Sequence, residues 1–178
     1  MFRITQIKVK NLSTEHIKKL KIIHRKIFTK KFYVYTDPDD IVYICQTNSS
    51  NKYIAMGYIR FASPEFHFAN EYNDEKTENY SSIPYLIDFG VIPEKRRHGI
   101  GTYLMNFIIN SLASEHNYIN LDILNGRRKD PDEELPFIPI QIDYLISFYE
   151  LFGFKKIDIN WYHPNNLDRY LCMTLKLK

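Results

Sequence analysis

The chain carries an apolar run, Tyr85-Leu-Ile-Asp-Phe-Gly-Val91, that breaks into the basic turn Ile92-Pro-Glu-Lys-Arg-Arg-His98. It reopens at Gly99-Ile-Gly101 as a stretch with Leu104, Met105, Ile108, Ile109 and Leu112 at helical spacing. A strand, a glycine turn and a helix in direct succession constrain the fold more than any other segment. A helix leaving a strand this way packs back across the sheet, and the next strand-like run, Tyr118–Leu124, completes a right-handed βαβ unit. The same turn sits at the carboxyl end of a parallel strand, where ligands commonly bind in such sheets. Backbone N–H groups gather at the helix start, where the dipole is positive, and make an anion site. Arg96, Arg97 and His98 bring further donors, and the two arginines carry fixed charge.

The rest of the chain supplies a sheet for this unit. Phe2, Ile4, Ile7 and Val9 mark a first strand, and Ser13 caps a helix from Thr14 to about Phe28 with Ile17, Leu20, His24, Ile27 and Phe28 on one face. On that face His24 reads as a packed histidine. Ile41–Gln46 and Tyr53–Phe61 form a hairpin across a polar turn. A helix from about Ile140 to Phe152 stops at Gly153, and two closing strands follow near Phe154–Ile159 and Tyr170–Leu177. Residues 63–82 and 125–139 are polar and read as surface excursions. The expected fold is α/β: one domain over 1–178, with a mixed, mostly antiparallel six- to seven-stranded sheet and helices on both faces.

Composition narrows the function. With 44% hydrophobic and 15% aromatic residues the chain is globular, and a net charge of +3 does not argue for nucleic acid. Cys45 and Cys172 lie in apolar runs and read as reduced thiols, which points to a cytoplasmic, reducing compartment. No Cys/His spacing fits a metal. No apolar run is long enough to span a bilayer, and the N-terminus is too charged for a signal peptide. The turn lacks the Walker arrangement of triphosphate hydrolases and the first glycine of a dinucleotide turn.

Two segments carry a resemblance. Ile87-Asp-Phe-Gly-Val-Ile-Pro-Glu-Lys-Arg-Arg-His-Gly-Ile-Gly-Thr102 resembles the strand–turn–helix element of the GNAT N-acetyltransferase superfamily, whose core is Arg/Gln-x-x-Gly-x-Gly/Ala. Phe148-Tyr-Glu-Leu-Phe-Gly-Phe154 resembles that family's Phe-Tyr-x-x-x-Gly-Phe. The resemblance implies acetyl-CoA (or CoA) as co-substrate, no metal, and acetyl transfer to a primary amine of a small molecule or a protein by direct attack. It maps the CoA pyrophosphate onto Arg96, Arg97, His98, Gly99, Ile100, Gly101 and Thr102, and the pantetheine arm onto Phe89, Gly90 and Val91. It places an oxyanion donor at the Val91 N–H. Tyr149 matches the family tyrosine that protonates the departing thiolate; its periodicity also puts it on an apolar stripe, where it would pack in the core.

The base is less directly given. The family's usual positions on the strand fall on Tyr85 and Ile87, neither of them a base, and Asp88 is the nearest carboxylate. Strict alternation sets Asp88 on the face opposite Tyr85, Ile87 and Phe89 unless a β-bulge changes the phase. Ile142 stands where the family often has Asn. The acceptor would meet Phe32, Tyr33, Tyr35, the acidic 71–78 segment and Trp161-Tyr-His163. The alternative reading is a catalytically degenerate, CoA-binding regulatory or interaction module. The sequence leaves the acceptor, and the choice between monomer and homodimer, open.

Overall fold

The computed structural model of the protein describes residues 2–28, 37–61, 83–124, 142–156 and 170–178. Seven strands form one sheet: β1 Phe2–Lys8, β2 Ile41–Thr47, β3 Tyr53–Phe61, β4 Pro84–Val91, β5 Tyr118–Leu124, β6 Lys155–Lys156 and β7 Tyr170–Lys176. Their order is β1-β2-β3-β4-β5-β7-β6. Every described pairing is antiparallel except β4 with β5. Among the described residues three helices cover the sheet: α1 Thr14–Phe28, α2 Ile100–Leu112 and α3 Ile142–Glu150. The fold class and the βαβ unit read from sequence are therefore the ones observed.

Local chemistry explains the elements. Ser13 caps α1: its Oγ accepts the His16 N–H at 3.2 Å and its carbonyl accepts the Ile17 N–H at 3.0 Å. Leu20, Ile23 and His24 of α1 are buried. Strands β2 and β3 read as nearly continuous apolar runs because helices cover both of their faces, and most of their residues are buried. Val9 leaves β1 for a short 3₁₀ turn, its N–H donating to the Asp40 carbonyl at 2.9 Å. Of the closing strand expected near Phe154–Ile159 the described part is Lys155–Lys156, the second closing strand is β7, and residues 157–169 lie outside the described set.

Handedness decides which helices share a face. Strand β6 is antiparallel to β7, which is antiparallel to β5, so β6 runs parallel to β5. The connections β4-α2-β5 and β5-α3-β6 thus cross the sheet in the same direction, and right-handed crossovers put α2 and α3 on one side. Side chains agree. A Cβ on Gly57 of β3 would meet Ile108 of α2, and the Phe89 ring of β4 stacks 5.8 Å from Phe148 of α3. Helix α1 lies on the opposite face, over Asp88 and Gly90 of β4.

Strand β4 contains the bulge that strict alternation leaves out. Tyr58 pairs with Asp88 while the next residue, Ile59, pairs with Leu86, so Ile87 is the extra residue and stands 39% exposed. The bulge reverses the phase of the strand. Tyr85, opposite Arg60, and Asp88, opposite Tyr58, now share the α1 face, while Leu86, Phe89 and Val91 face α2 and α3. The sequence expectation that Asp88 lies opposite Tyr85 is corrected; its separation from Phe89 stands.

Cys45 is buried and reduced. Cys172 lies on β7, four strand spacings from β2 and about 19 Å away, too far to be bridged. Among the described residues no helix is long and apolar enough to cross a membrane.

The contact between α1 and β4 yields the first prediction. A Cβ at Gly90 would overlap the branched Cγ2 of Ile27 and reach Phe28 at 3.5 Å. Gly90→Ala should cost about 1–3 kcal/mol as α1 is forced off the sheet. Thermal melting should show a loss of several degrees; an unchanged midpoint would show that α1 does not press on Gly90.

Candidate functional site

Between β4 and α2 the backbone forms an open cradle. Pro93–Lys95 make a 3₁₀ turn, Arg97 takes φ +61° and Gly99 takes φ +74°, after which α2 starts at Ile100. The Arg96 N–H reaches the Pro93 carbonyl at 3.2 Å, and the Tyr103 N–H reaches the Gly99 carbonyl at 2.9 Å. Among the described residues, no N–H from Arg97 to Thr102 donates to an acceptor within the chain. Six donors thus converge at the positive end of a helix, in a segment whose residues 93–99 are all exposed. A left-handed arginine is a strained conformation for a residue with a side chain, and such strain clusters at ligand clamps.

Side chains fix this shape. Arg96 turns back on the strand, its Nε donating to the Val91 carbonyl at 3.0 Å, so only its terminal nitrogens are left for an anion. The His98 Nδ1–H donates to the Arg96 carbonyl at 2.6 Å, which leaves Nε2 outward. At Gly99 a Cβ would meet nothing within 4 Å, and at Gly101 the nearest atoms, on Phe148 and Val91, are 3.6 Å away. Neither glycine is demanded by packing. Gly99 serves its positive φ, and Gly101 leaves bare backbone facing the cradle.

The cradle adjoins an unpaired strand edge. Strands β4 and β5 pair only at Tyr85↔Asn120 and Leu86↔Leu121. Beyond Leu86 they separate, while β4 continues to Val91. The Ile92 N–H donates to Ile54 of the β3 side at 2.9 Å, and antiparallel alternation then turns the N–H and carbonyl of Gly90 toward β3. By the same count, Phe89 and Val91 direct their backbone groups into the opening. Gly90 is therefore a packing residue beneath α1, with its neighbours carrying the open hydrogen-bonding groups.

Tyr149 of α3 stands beside this edge. It is 8% exposed, with its ring 6.4 Å from Phe89, 5.3 Å from Phe148 and 5.7 Å from Phe154. Burial raises its phenol above the ordinary value of 10.0. Among the described residues its hydroxyl has no hydrogen-bond partner. The ring packs in the core, as its periodicity suggests.

The opposite face of β4 is polar. His24 of α1, 6% exposed, places Nε2 3.5 Å from Asp88 Oδ2. Tyr58, paired with Asp88, donates its hydroxyl to Asp40, whose other oxygen accepts the Phe61 N–H at 3.1 Å; Arg60 Nε lies 3.6 Å from Asp40. Burial raises the Asp40 carboxyl, and those two hydrogen bonds oppose the shift. Asn120 of β5, opposite Tyr85, is 5% exposed, and its Oδ1 accepts no hydrogen bond among the described residues. Sequence reasoning did not select Tyr58, Arg60 or Asn120. The available signal was polar atoms alternating with apolar residues inside buried strands.

Thus the structure brings Arg96–Thr102, Phe89, Val91 and Tyr149 to one face of the sheet and Asp88 to the other. Phe32, Tyr33, Tyr35, the 71–78 segment, the 125–139 excursion and Trp161-Tyr-His163 fall outside the described residues. Among the described residues no group of His, Cys, Asp and Glu is arranged to hold a metal.

This fold has known counterparts. Residues 13–129 match the Acetyltransferase (GNAT) family, more than half of the sequence, and the chain belongs to that family. Solved structures share the fold at low identity. The ribosomal-protein-S18-alanine N-acetyltransferase from Escherichia coli superposes with a TM-score of 0.64 at 14% identity, over 100% of this chain and 95% of that one. Arabidopsis thaliana NAA60, in complex with a bisubstrate analogue, gives 0.63 at 14% identity, over 99% of this chain and 100% of that one. The NatC complex bound to Gag peptide and CoA gives 0.66 at 15%, covering 99% of each chain. No curated protein matches the sequence.

The two glycines should respond differently to alanine. Gly99→Ala places a side chain at φ +74° and should lower stability by about 1 kcal/mol. Gly101→Ala meets only ordinary contacts inside a helix and should leave the melting temperature equal or higher. Thermal denaturation of both variants checks the pair; a large loss at Gly101 would mean that packing, not access, selects glycine there.

Proposed function

We propose that the protein is an N-acetyltransferase that moves the acetyl group of acetyl-CoA to a primary amine. The observation that carries the reading is the junction of six unsatisfied N–H groups with a strand edge that its neighbour has left. A diphosphate fits the first and an amide-bearing arm fits the second. Acetyl-CoA supplies the activated thioester, and every other task falls to the chain. The N–H groups of Arg97–Thr102 hold the pyrophosphate, aided by the Arg97 side chain and the free ends of Arg96. The open backbone groups of Phe89 pair with the pantetheine amides, and the Val91 N–H steadies the developing oxyanion. Tyr149 donates a proton to the departing sulfur, for which a phenol held protonated by burial is suited. Asp88 serves the acceptor amine from the α1 face. Family membership and fold support acyl transfer, and the acceptor, a small molecule or a protein amine, enters over the polar surface of Asp88, Tyr85 and Asn120.

Acetyl-CoA titration by calorimetry, with thiol release measured across a panel of amines and peptides, tests the reading. Binding with turnover is the expected result; no binding would end it, and binding without turnover would favour a regulatory CoA-binding module. Gly101→Ala should weaken acetyl-CoA binding at least about tenfold, because the added methyl stands where the backbone meets the ligand. Tyr149→Phe should leave binding and melting unchanged, since the lost hydroxyl has no partner among the described residues, while turnover falls about 10²-fold or more. The pH dependence follows from the sign of the phenol's shift. The acid must be protonated, and burial raises its value above 10.0, so turnover should not decline between pH 7 and 10 on account of Tyr149. An alkaline limb inside that window that disappears in Tyr149→Phe would contradict the assignment.

A further inference from the structure

Asp88 does not stand alone on the α1 face. Its carboxylate, with a side chain 22% exposed, meets a histidine that is 8% exposed at the side chain and sits one layer deeper. His24 packs its ring 4.7 Å from Phe28 in the same helix, so the imidazole is held in place from one side while Nε2 faces Asp88 from the other. Burying an imidazole and a carboxylate together costs desolvation that an apolar pair under α1 would avoid. The location gives the pair a use. Asp88 is one residue from Phe89, whose backbone faces the opening, and lies on the side of β4 away from Tyr149.

We propose that His24 and Asp88 form a proton-accepting pair for the acceptor amine, with Asp88 meeting the amine and His24 acting as its positioning and relay residue. The proposal rests on the acetyl-transfer reading above and adds a residue that the sequence motifs do not contain. An ammonium group must lose a proton before nitrogen can attack. In water a carboxylate is a much weaker base than an imidazole, and both are weaker than the amine. A lone carboxylate is therefore a poor acceptor, and His24 Nε2, 3.5 Å from Asp88 Oδ2, offers a proton delivered there a second site.

The balance is complete with these groups. One ammonium proton goes to Asp88 and on to His24, and the neutral nitrogen adds to the thioester carbonyl. As the C–S bond breaks, the nitrogen's second proton goes to the restored Asp88 carboxylate, and sulfur takes its proton from Tyr149. The pair releases its two protons to solvent and Tyr149 takes one back from solvent, so one proton is released per turnover. Acid and base on opposite faces of β4 cannot neutralise each other directly. Among the described residues, the charged and titratable groups near the pair include Lys21 and Arg25, close to His24 in the sequence of α1, Tyr85 on β4, and Tyr58 with its Asp40–Arg60 partners from the β2 and β3 side.

The test uses the full chain, acetyl-CoA, and two kinds of acceptor: an alkylamine-bearing substrate from the panel that wild type turns over, and hydroxylamine, which is already neutral at pH 7. His24→Gln keeps a polar group beside Asp88 but cannot take a proton. It should bind acetyl-CoA as wild type does and lose about 10²-fold in kcat/KM with the alkylamine. Its acidic limb should shift with it, while its rate with hydroxylamine changes less than about threefold. Asp88→Asn should show the same selectivity, and the double variant should lose little more than the worse single one. Equal losses with both acceptors, or an unchanged pH profile in His24→Gln, overturn the pair while leaving acetyl transfer intact. Should His24→Gln melt early, His24→Asn with the same two acceptors decides by the same ratio. A wild type that binds no acetyl-CoA, or turns over no acceptor, sinks the underlying reading and this one with it.

Discussion

The site depends on two parallel strands that pair briefly and then part. Tyr85↔Asn120 and Leu86↔Leu121 hold β4 to β5, and after them each strand keeps only its outer partner. A strand edge inside a sheet is costly to leave bare, since its N–H and carbonyl groups need partners. Here the bare stretch runs directly into a turn whose own N–H groups also lack acceptors. Among the described residues, the backbone groups of Phe89, the Val91 N–H and the N–H groups of Arg97–Thr102 are thereby left open along one rigid frame. These groups belong to the main chain, so few side-chain identities are needed to specify them.

The bulge at Ile87 does complementary work. By inserting one residue into β4 it turns Tyr85 to the side of Asp88 and leaves Phe89 and Val91 on the other. The strand then presents polar groups to α1 and apolar ones to α2 and α3. Tyr149 arrives among the aromatic rings of Phe89, Phe148 and Phe154, where burial keeps it protonated. His24 arrives from α1 beside Asp88. The separation of Tyr149 from Asp88 is thus a property of sheet parity.

Much of this was legible beforehand. Ser13 as a cap, α1 and α2 to within a residue or two, Gly153 as the stop after α3 at φ +89°, and the hairpin of β2 and β3 were all visible as periodicity and punctuation. Local signals of this kind depend on neighbours in sequence. The basic glycine turn was equally plain, because its function resides in backbone shape that glycine permits. Less legible were the bulge, which is set by pairing with Tyr58 and Ile59 on another strand, and the pairing of His24 with a residue 64 positions away. Asn120 was hidden for the same reason: nothing local distinguishes a buried amide from an edge residue.

The sequence by itself determined the βαβ unit, the anion turn and the aromatic helix that follows, since each is written in contiguous residues and their backbone preferences. Tertiary structure alone decided that β4 and β5 diverge after Leu86, that Gly90 is a packing residue, and that His24 meets Asp88. Those outcomes depend on register between distant strands and on which helix lies across which face. Register is chosen by the whole sheet at once, so no window of sequence contains it.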